Sequence, residues 1–323
     1  MPCIKPIHAV QVGDDIKFGM NNQIIYGQNH RTFTIPCSNC IQCRLDISNQ
    51  WAIRCYHESK LHNRNCFLTL TYKEDPISLN KVDIKIFLKK LQRRYPKQVR
   101  YFQVGEYGGK FGRPHHHCLI FGINHFDFND IKRGKTTDSG GKVYLSKTLD
   151  QMWTHGQTNI GELNEKSIRY VTGYVLKKVT GKKQKAHYNG KLPEYITMSR
   201  KPGIGRLWYE KWKNDIYSRD DFTINGTKHI PPRYYDKQYS IDNPEHMDII
   251  KESRIQKALS KITFDYKNEV KTSGIKLAKR KLLDQYDQFL DRKRGILVRE
   301  KKLQLKIEEK ERHNNAIRNC ISV

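Results

Sequence analysis

Arg113-Pro114-His115-His116-His117-Cys118-Leu119-Ile120-Phe121 is the stretch whose reading decides the fold. It has no turn former between Pro114 and Gly122, so it reads as a strand. Successive side chains on a strand point to opposite faces, which puts His115 and His117 on one face and His116 on the other. Upstream, Tyr101-Phe102-Gln103-Val104-Gly105-Glu106 reads as a second strand, joined to the first by the glycine-rich Tyr107-Gly108-Gly109-Lys110-Phe111-Gly112. A loop that short makes the pair antiparallel. Further upstream, Cys66-Phe67-Leu68-Thr69-Leu70-Thr71-Tyr72 is rich in β-formers and stops at Lys73-Glu74-Asp75-Pro76, as a central strand would. Between them, Val82, Ile84, Phe87, Leu88 and Leu91 recur at helical spacing over residues 82–94, ahead of Pro96. Strand, helix and hairpin together predict an α+β fold, a central antiparallel sheet with helices packed on one face.

Two imidazoles on one face are two of the three protein ligands of a metal site. Glu106 is the natural third, because it ends the strand that pairs with the histidine strand and pairing brings Cβ atoms to within about 5 Å. Glu74 and Asp75 are alternative carboxylates with a poorer geometric argument. Two histidines and a carboxylate suit Mg²⁺ or Mn²⁺ beside a phosphate better than they suit structural zinc. The spacing by itself is more commonly a structural pair or a satisfied core histidine, and His116 reads as a filler rather than a ligand.

About fifty residues on comes Tyr170-Val171-Thr172-Gly173-Tyr174-Val175-Leu176-Lys177-Lys178, inside a predicted helix over residues 167–180 capped by Ser167 or Asn164. Residues four apart share a helix face, so Tyr170 and Tyr174 present two phenols together. A phenol with a pKa near 10 is a poor nucleophile and needs a nearby cation. Lys178 lies one turn beyond Tyr174 on the same face, and Lys177 lies three residues beyond it. Ordinary core packing also explains tyrosines at this spacing. What favours chemistry is the coincidence of strand histidines, a carboxylate, paired tyrosines and following lysines.

Composition points the same way. Lys and Arg number 60 against 33 acidic residues in a chain of 323, a formal charge of +27, so a partner carrying many phosphates is expected. No stretch approaches the roughly 18 apolar residues of a membrane span. The N-terminus lacks the apolar run of a signal peptide, so work inside a cell is expected. Eight cysteines are then thiols or metal ligands rather than a disulfide framework. Cys37, Cys40 and Cys43 repeat at three-residue spacing, and Cys3 could complete a tetrahedral structural zinc site. Buried reduced thiols at the start of a helix over residues 45–59 fit the same text. Three regions emerge: a cysteine-rich segment over 1–65, a core over 66–244, and a basic, charge-rich helical tail over 245–323 that includes helical text at 276–294 and 298–312. Arg113, Arg200 and Lys201 are the candidate DNA contacts.

Taken in order, Phe67-Leu68-Thr69-Leu70-Thr71, Gly105-Glu106-Tyr107-Gly108, Gly112-Arg113-Pro114-His115-His116-His117 and the Tyr170–Lys178 segment resemble HUH-type rolling-circle replication initiators. The likeness is strongest to those of gokushovirus-like microviruses, small icosahedral single-stranded DNA phages. The N-terminal cysteines and Ser199-Arg200-Lys201-Pro202-Gly203-Ile204-Gly205 are similar to that group as well. His116 departs from the pattern, which more usually has a bulky apolar residue there. The resemblance implies an HUH endonuclease fold with about five antiparallel strands. It implies His115 and His117 as metal ligands with Glu106 as the third. It also implies Tyr170 and Tyr174 as alternating nucleophiles that nick a double-stranded replicative form at its origin, leave a 3′-OH, and later rejoin the displaced single strand. The expected setting is the cytoplasm of a bacterial host, with a host helicase or polymerase as further partners. Two other readings use the same residues: a relaxase or transposase of a mobile element, and a non-catalytic basic zinc-containing DNA-binding protein.

Overall fold

The computed structural model describes residues 3–13, 15–18, 30–95, 99–109, 111–134, 136 and 141–273, which divide into two compact units. The first takes residues up to Cys43 together with residues from Asp248 on. Its strands β1 (Ile7–Val12), β2 (Asp15–Phe18) and β3 (His30–Ile35) form an antiparallel sheet in the order β2-β1-β3, with Ala9, Phe33 and Ile35 buried against Ile16. No sequence pattern predicts this sheet, because β2 is only four residues long and carries little periodic signal.

The second unit, Arg44–Met247, contains α1 (Ile41–Ser59) from its fourth residue on, followed by β4 (Asn65–Thr71), α2 (Lys81–Arg94), β5 (Arg100–Tyr107) and β6 (Pro114–Phe121). Next come β7 (Ile131–Arg133), β8 (Val143–Ser146), α3 (Lys147–Trp153), β9 (Thr158–Glu162), α4 (Glu165–Gly173), α5 (Gln184–Tyr188) and β10 (Tyr195–Met198). The unit finishes with α6 (Arg206–Arg219), β11 (Phe222–Ile224), β12 (Thr227–His229) and α7 (Arg233–Asp242), and α8 (Pro244–Ser273) runs on across the boundary. The boundary expected after residue 65 falls just inside β4, whereas the compact units divide inside α1, after Cys43. The helical text at 276–294 and 298–312 lies outside the described residues.

Among the described residues the main sheet has seven strands in the order β10-β5-β6-β4-β9-β8-β7, antiparallel throughout. The α+β antiparallel architecture stands as expected, but two details differ. The sheet exceeds about five strands because β7 and β8 extend it beyond β9, and strands of three and four residues leave no pattern to read. Helices also cover both faces rather than one. On one face Leu68, Leu70, Cys118 and Ile120 pack against Phe87 and Leu91 of α2 and Leu149 and Trp153 of α3. On the other, Phe102, Val104, Leu119 and Phe121 pack against Cys55 of α1 and Ile168 and Val171 of α4. The near-continuous burial of β6 matches this: a strand with no solvent-facing side is covered twice.

The outer layer closes over α1. His57 of α1 is 2% exposed, stacks on Trp208 of α6 at 3.4 Å between ring centres, and shares a hydrogen bond of 3.0 Å with the Tyr235 hydroxyl of α7. Burial, with the nearby His229, pushes its pKa down to about 3. In the unfolded chain the same imidazole titrates near 6.5. Between these values the unfolded state binds the extra proton, so stability rises with pH across the window and is lost as pH falls through it. The slope of the unfolding free energy between pH 6 and pH 4 should therefore be flatter in His57→Gln than in the parent, by up to about 1.4 kcal/mol per pH unit. Urea melts at several pH values measure it, and parallel slopes would show that His57 is not held neutral.

Candidate active site

The register of the hairpin builds the site. Glu106 on β5 stands opposite His115 on β6, Val104 opposite His117, and on the other side of β6 Thr71 and Thr69 of β4 stand opposite the same two histidines. All of these side chains emerge on the α4 face of the sheet. The Oε1 atom of Glu106 lies 2.7 Å from His115 Nε2 and 3.2 Å from His117 Nε2. The three ligand atoms lie within 4.8 Å of one another, a spacing that a single cation can bridge. Glu106 is 1% exposed. Burial raises its pKa, but hydrogen bonds to His115, His117 and Lys177 outweigh that and hold the carboxyl well below its usual range. An ionised carboxylate and imidazoles free to give a lone pair are what a divalent cation needs.

The far ring nitrogens are held as well. His115 Nδ1 lies 2.9 Å from the Arg113 carbonyl oxygen, which can only accept, so Nδ1–H donates and Nε2 is left to face Glu106. His117 Nδ1 pairs with Thr69 Oγ1 at 3.1 Å. Burial pushes the His117 pKa down, which keeps the ring neutral. His116 points through the sheet to the opposite face, where its Nε2 meets the Tyr72 hydroxyl at 3.2 Å and its Nδ1 meets Gln103 Nε2 at 3.1 Å. Fully buried and neutral, it is no part of the metal cluster.

Both tyrosines reach the site, though differently. Asn164 caps α4 reciprocally with Ser167. The α-helix stops at Gly173, and Tyr174–Leu176 continue as a 3₁₀ turn, so the helix expected over 167–180 is shorter and tighter at its end. Tyr174 is 4% exposed, stacks on His117 with ring centres 5.1 Å apart, and brings its hydroxyl 3.3 Å from His117 Nε2. Tyr170 is 53% exposed and stands edge-on to Tyr174 at 4.9 Å. Burial above all, and then the neighbouring Tyr170 and Glu106, push the Tyr174 pKa up, so it stands as a phenol.

Of the two expected lysines, Lys177 is the one with contacts in the site. Its Nζ lies 2.9 Å from Glu106 Oε2 and 4.4 Å from the centre of the Tyr174 ring. α-Helical spacing leaves both lysines near Tyr174, and in a 3₁₀ turn side chains three apart eclipse one another, as Tyr174 and Lys177 do. Sequence reasoning also missed Thr69. Alternation along Phe67, Thr69 and Thr71, combined with pairing to the histidine strand, was the signal that could have found it.

The basic residues expected at DNA are not among the groups of the metal cluster. Arg113 is ion-paired with Asp75 and donates to the Tyr72 carbonyl at 2.7 Å, tying the end of β4 to the hairpin. Arg200 and Lys201 follow β10, where Ser199 N–H donates to the Tyr101 carbonyl at 3.0 Å. That is five residues along β5 from Glu106, about 16 Å. The glycines after them serve the structure. Gly205 N–H donates to the buried Glu58 carboxylate at 2.6 Å, and a Cβ at Gly205 would come 2.5 Å from the Tyr235 hydroxyl.

In the smaller unit Cys3 Sγ lies 3.5 Å from Cys37 Sγ and 3.7 Å from Cys40 Sγ, and the ligand atoms of Cys3, Cys37, Cys40 and Cys43 all lie within 4.8 Å of one another. Four sulfurs at about 2.3 Å from a tetrahedral zinc would stand about 3.8 Å apart, so the cluster fits that ion. The Cys43 backbone amide, more than any other group, holds the Cys40 thiol down to about 6.

A family model described as replication-associated protein ORF2/G2P matches residues 65–179, from β4 through the tyrosine turn. The replication-associated protein VP4 of Bdellovibrio phage phiMH2K is 35% identical over 265 residues, which cover 76% of this chain and 79% of that one. This chain belongs to the phage replication-associated protein family. The family's replication-associated protein ORF2 of Spiroplasma virus 4 is 29% identical over 281 residues, covering 79% of this chain and 86% of that one. ORF4 of Chlamydia phage 1, also named a replication-associated protein, is 29% identical over 217 residues, 63% of this chain and 53% of that one. No solved structure matches the chain. The matched residues of this replication-associated protein contain Glu106, His115, His117, Tyr170, Tyr174 and Lys177, while the four cysteines precede them.

If Thr69 orients His117 toward a cation, Thr69→Val should weaken Mn²⁺ binding about 10- to 100-fold. Titration calorimetry reads this directly, and unchanged affinity would remove the hydroxyl from the site.

Proposed function

We propose that this replication-associated protein is a metal-dependent DNA nicking and joining enzyme that acts through a phosphotyrosine intermediate. The carrying observation is the Tyr174 hydroxyl lying 3.3 Å from a ligand atom of the Glu106–His115–His117 cluster, with a second phenol beside it. The cluster fits a hard divalent cation, Mg²⁺ or Mn²⁺, which when bound supplies positive charge to polarise a scissile phosphate. The tyrosine oxygen attacks the phosphorus and forms an O–P bond. The bond from phosphorus to the 3′ oxygen breaks, and that oxygen leaves as a 3′-OH, taking up a proton. The DNA end stays attached through its 5′ phosphate. Attack by the freed or a second 3′-OH on the phosphotyrosine reverses the chemistry and rejoins the strand.

Lys177 serves in two ways. It hydrogen-bonds Glu106 and so keeps the carboxylate ionised, and it sets a cation against the Tyr174 ring, where negative charge develops as the phenol loses its proton. Two phenols in one site permit a second transfer while the first adduct persists. The substrate in this reading is the origin of a phage replicative form and the single strand displaced from it, inside the bacterial host's cytoplasm. The relatives are phage replication proteins by name, which favours replication over transfer of a mobile element. A purely DNA-binding protein would leave the buried cluster and its tyrosines without a purpose. The four cysteines are assigned structural zinc. No helix among the described residues is long and apolar enough to cross a membrane. Docking to a host helicase or polymerase is proposed for the lysine-rich tail over 245–323, of which the residues beyond 273 lie outside the described residues.

Replacing Tyr170 and Tyr174 together by Phe should abolish the denaturant-resistant protein–DNA adduct formed on supercoiled replicative-form DNA, while filter binding stays within about twofold. An adduct that survives both changes would sink the tyrosine assignment. Lys177→Met should lower the nicking rate on the order of 10²-fold, and Lys178→Met should leave it nearly unaltered. Single-turnover kinetics of the two variants separate these outcomes, and equal losses would return Lys178 to the site.

A further inference from the structure

We infer that the four-cysteine cluster is a structural zinc site that, by holding the first turn of α1, lets Arg44 position the turn bearing Tyr174 and Lys177. The inference rests on the proposed nicking chemistry. Sulfur spacing is the first support. The second is the set of amides aimed at the sulfurs: Cys37 N–H points at Cys3 Sγ at 3.3 Å, and Asn39 and Cys40 N–H point at Cys37 Sγ at 3.4 and 3.2 Å. Backbone amides converging on sulfur stabilise thiolate charge, the form that binds metal. Thiolates favour zinc over the hard cations that suit Glu106, His115 and His117, so the two sites take different ions from the same solution. The cluster also joins Cys3 to residues 34 positions away, which makes the ion a clamp on the segment leading into α1.

The third support is the residue after the last cysteine. Cys43 lies in the first turn of α1, and its neighbour, Arg44, donates from Nε and Nη2 to the carbonyl oxygen of Val175 at 3.3 and 3.2 Å. Val175 is the middle residue of the 3₁₀ turn between Tyr174 and Lys177. Carbonyls at a helix C-terminus have no partner within the helix, and a cation there is favoured by the helix dipole. The guanidinium supplies both. A fixed first turn of α1 therefore fixes the donor that holds the 3₁₀ turn. Tyr170 sits earlier, on α4 itself, where the helix and its Asn164 cap hold it without Arg44, and the long Lys177 side chain is held at its far end by Glu106, so the displacement falls on Tyr174.

That difference supplies the test. In the full chain with replicative-form DNA and Mg²⁺, adduct formation is measured in two backgrounds, Tyr170→Phe, which leaves Tyr174 as the nucleophile, and Tyr174→Phe, which leaves Tyr170. Arg44→Met is expected to lower the Tyr174-dependent adduct about 10- to 100-fold, the cost of a misplaced reacting group, and the Tyr170-dependent adduct less than threefold. Arg44→Lys should restore part of the loss. Zinc analysis should find one zinc per chain. Stripping it with a chelator under reducing conditions, then supplying Mg²⁺, should reproduce the Arg44→Met pattern and be reversed by added zinc. Purified protein without zinc, equal loss through both tyrosines, or zinc-free protein that still reacts through Tyr174 would each overturn the inference. Circular dichroism of Arg44→Met keeps the test independent of cysteine variants that fail to fold. Absence of any adduct in the parent would instead count against the nicking reading, and zinc content would then still judge the cluster.

Discussion

The antiparallel register of β5 against β6 is the constraint on which the rest depends. Placing Glu106 opposite His115 brings a carboxylate between two imidazoles, and the same ladder places Thr69 and Thr71 on the other side of those rings. A slip of one residue would send His115 and His117 to the α2 face and bring His116 to the α4 face. Several features pin the register against such a slip. Arg113 ties the hairpin to the end of β4, Gly105 lies so close to Tyr195 that a Cβ there would come 2.9 Å from its ring, and the core residues of β6 alternate between two packed layers.

A strand with three consecutive histidines is costly to bury unless each ring is satisfied. His115 and His117 share Glu106, so each offsets the desolvation of a charge that would otherwise be stranded. His116 is satisfied through Gln103 and Tyr72, and Tyr72 in turn donates to Asp83 at 3.0 Å. Thr197 donates to Gln103 at 2.6 Å and completes the network from β10. The middle histidine thus does with hydrogen bonds what an apolar residue at that position would do by packing, and the network behind its two partners draws on β5, α2 and β10.

The end of α4 shows how a small change in helical form selects a residue. Had the α-helix run on through residue 178, side chains three and four apart would both have neighboured Tyr174, leaving Lys177 and Lys178 equally placed. Tightening into a 3₁₀ turn shortens the repeat to three and delivers Lys177. Two contacts from outside the helix meet this turn, Arg44 on the Val175 carbonyl and His117 against the Tyr174 ring. Local sequence leaves both forms open, since nothing in Tyr174-Val175-Leu176-Lys177-Lys178 prefers one repeat over the other.

What the sequence determined by itself is whatever depends on periodicity and short loops. Alternation settled that His115 and His117 share a face, the glycine-rich loop settled that their strand pairs back on Glu106, and the helix over α2 was legible within a residue at its start. Motif order was enough to expect the replication-associated family. Tertiary structure alone decided the seven-stranded width of the sheet, its burial on both faces, the four-sulfur geometry around Cys3, the choice of Lys177, and the distance of Arg200 and Lys201 from Glu106. The reason is physical. A strand's period is a property of its own backbone, whereas three-residue edge strands, a change from 3.6 to three residues per turn, and the meeting of residues 131 positions apart, such as Arg44 and Val175, are set by partners that no local window contains.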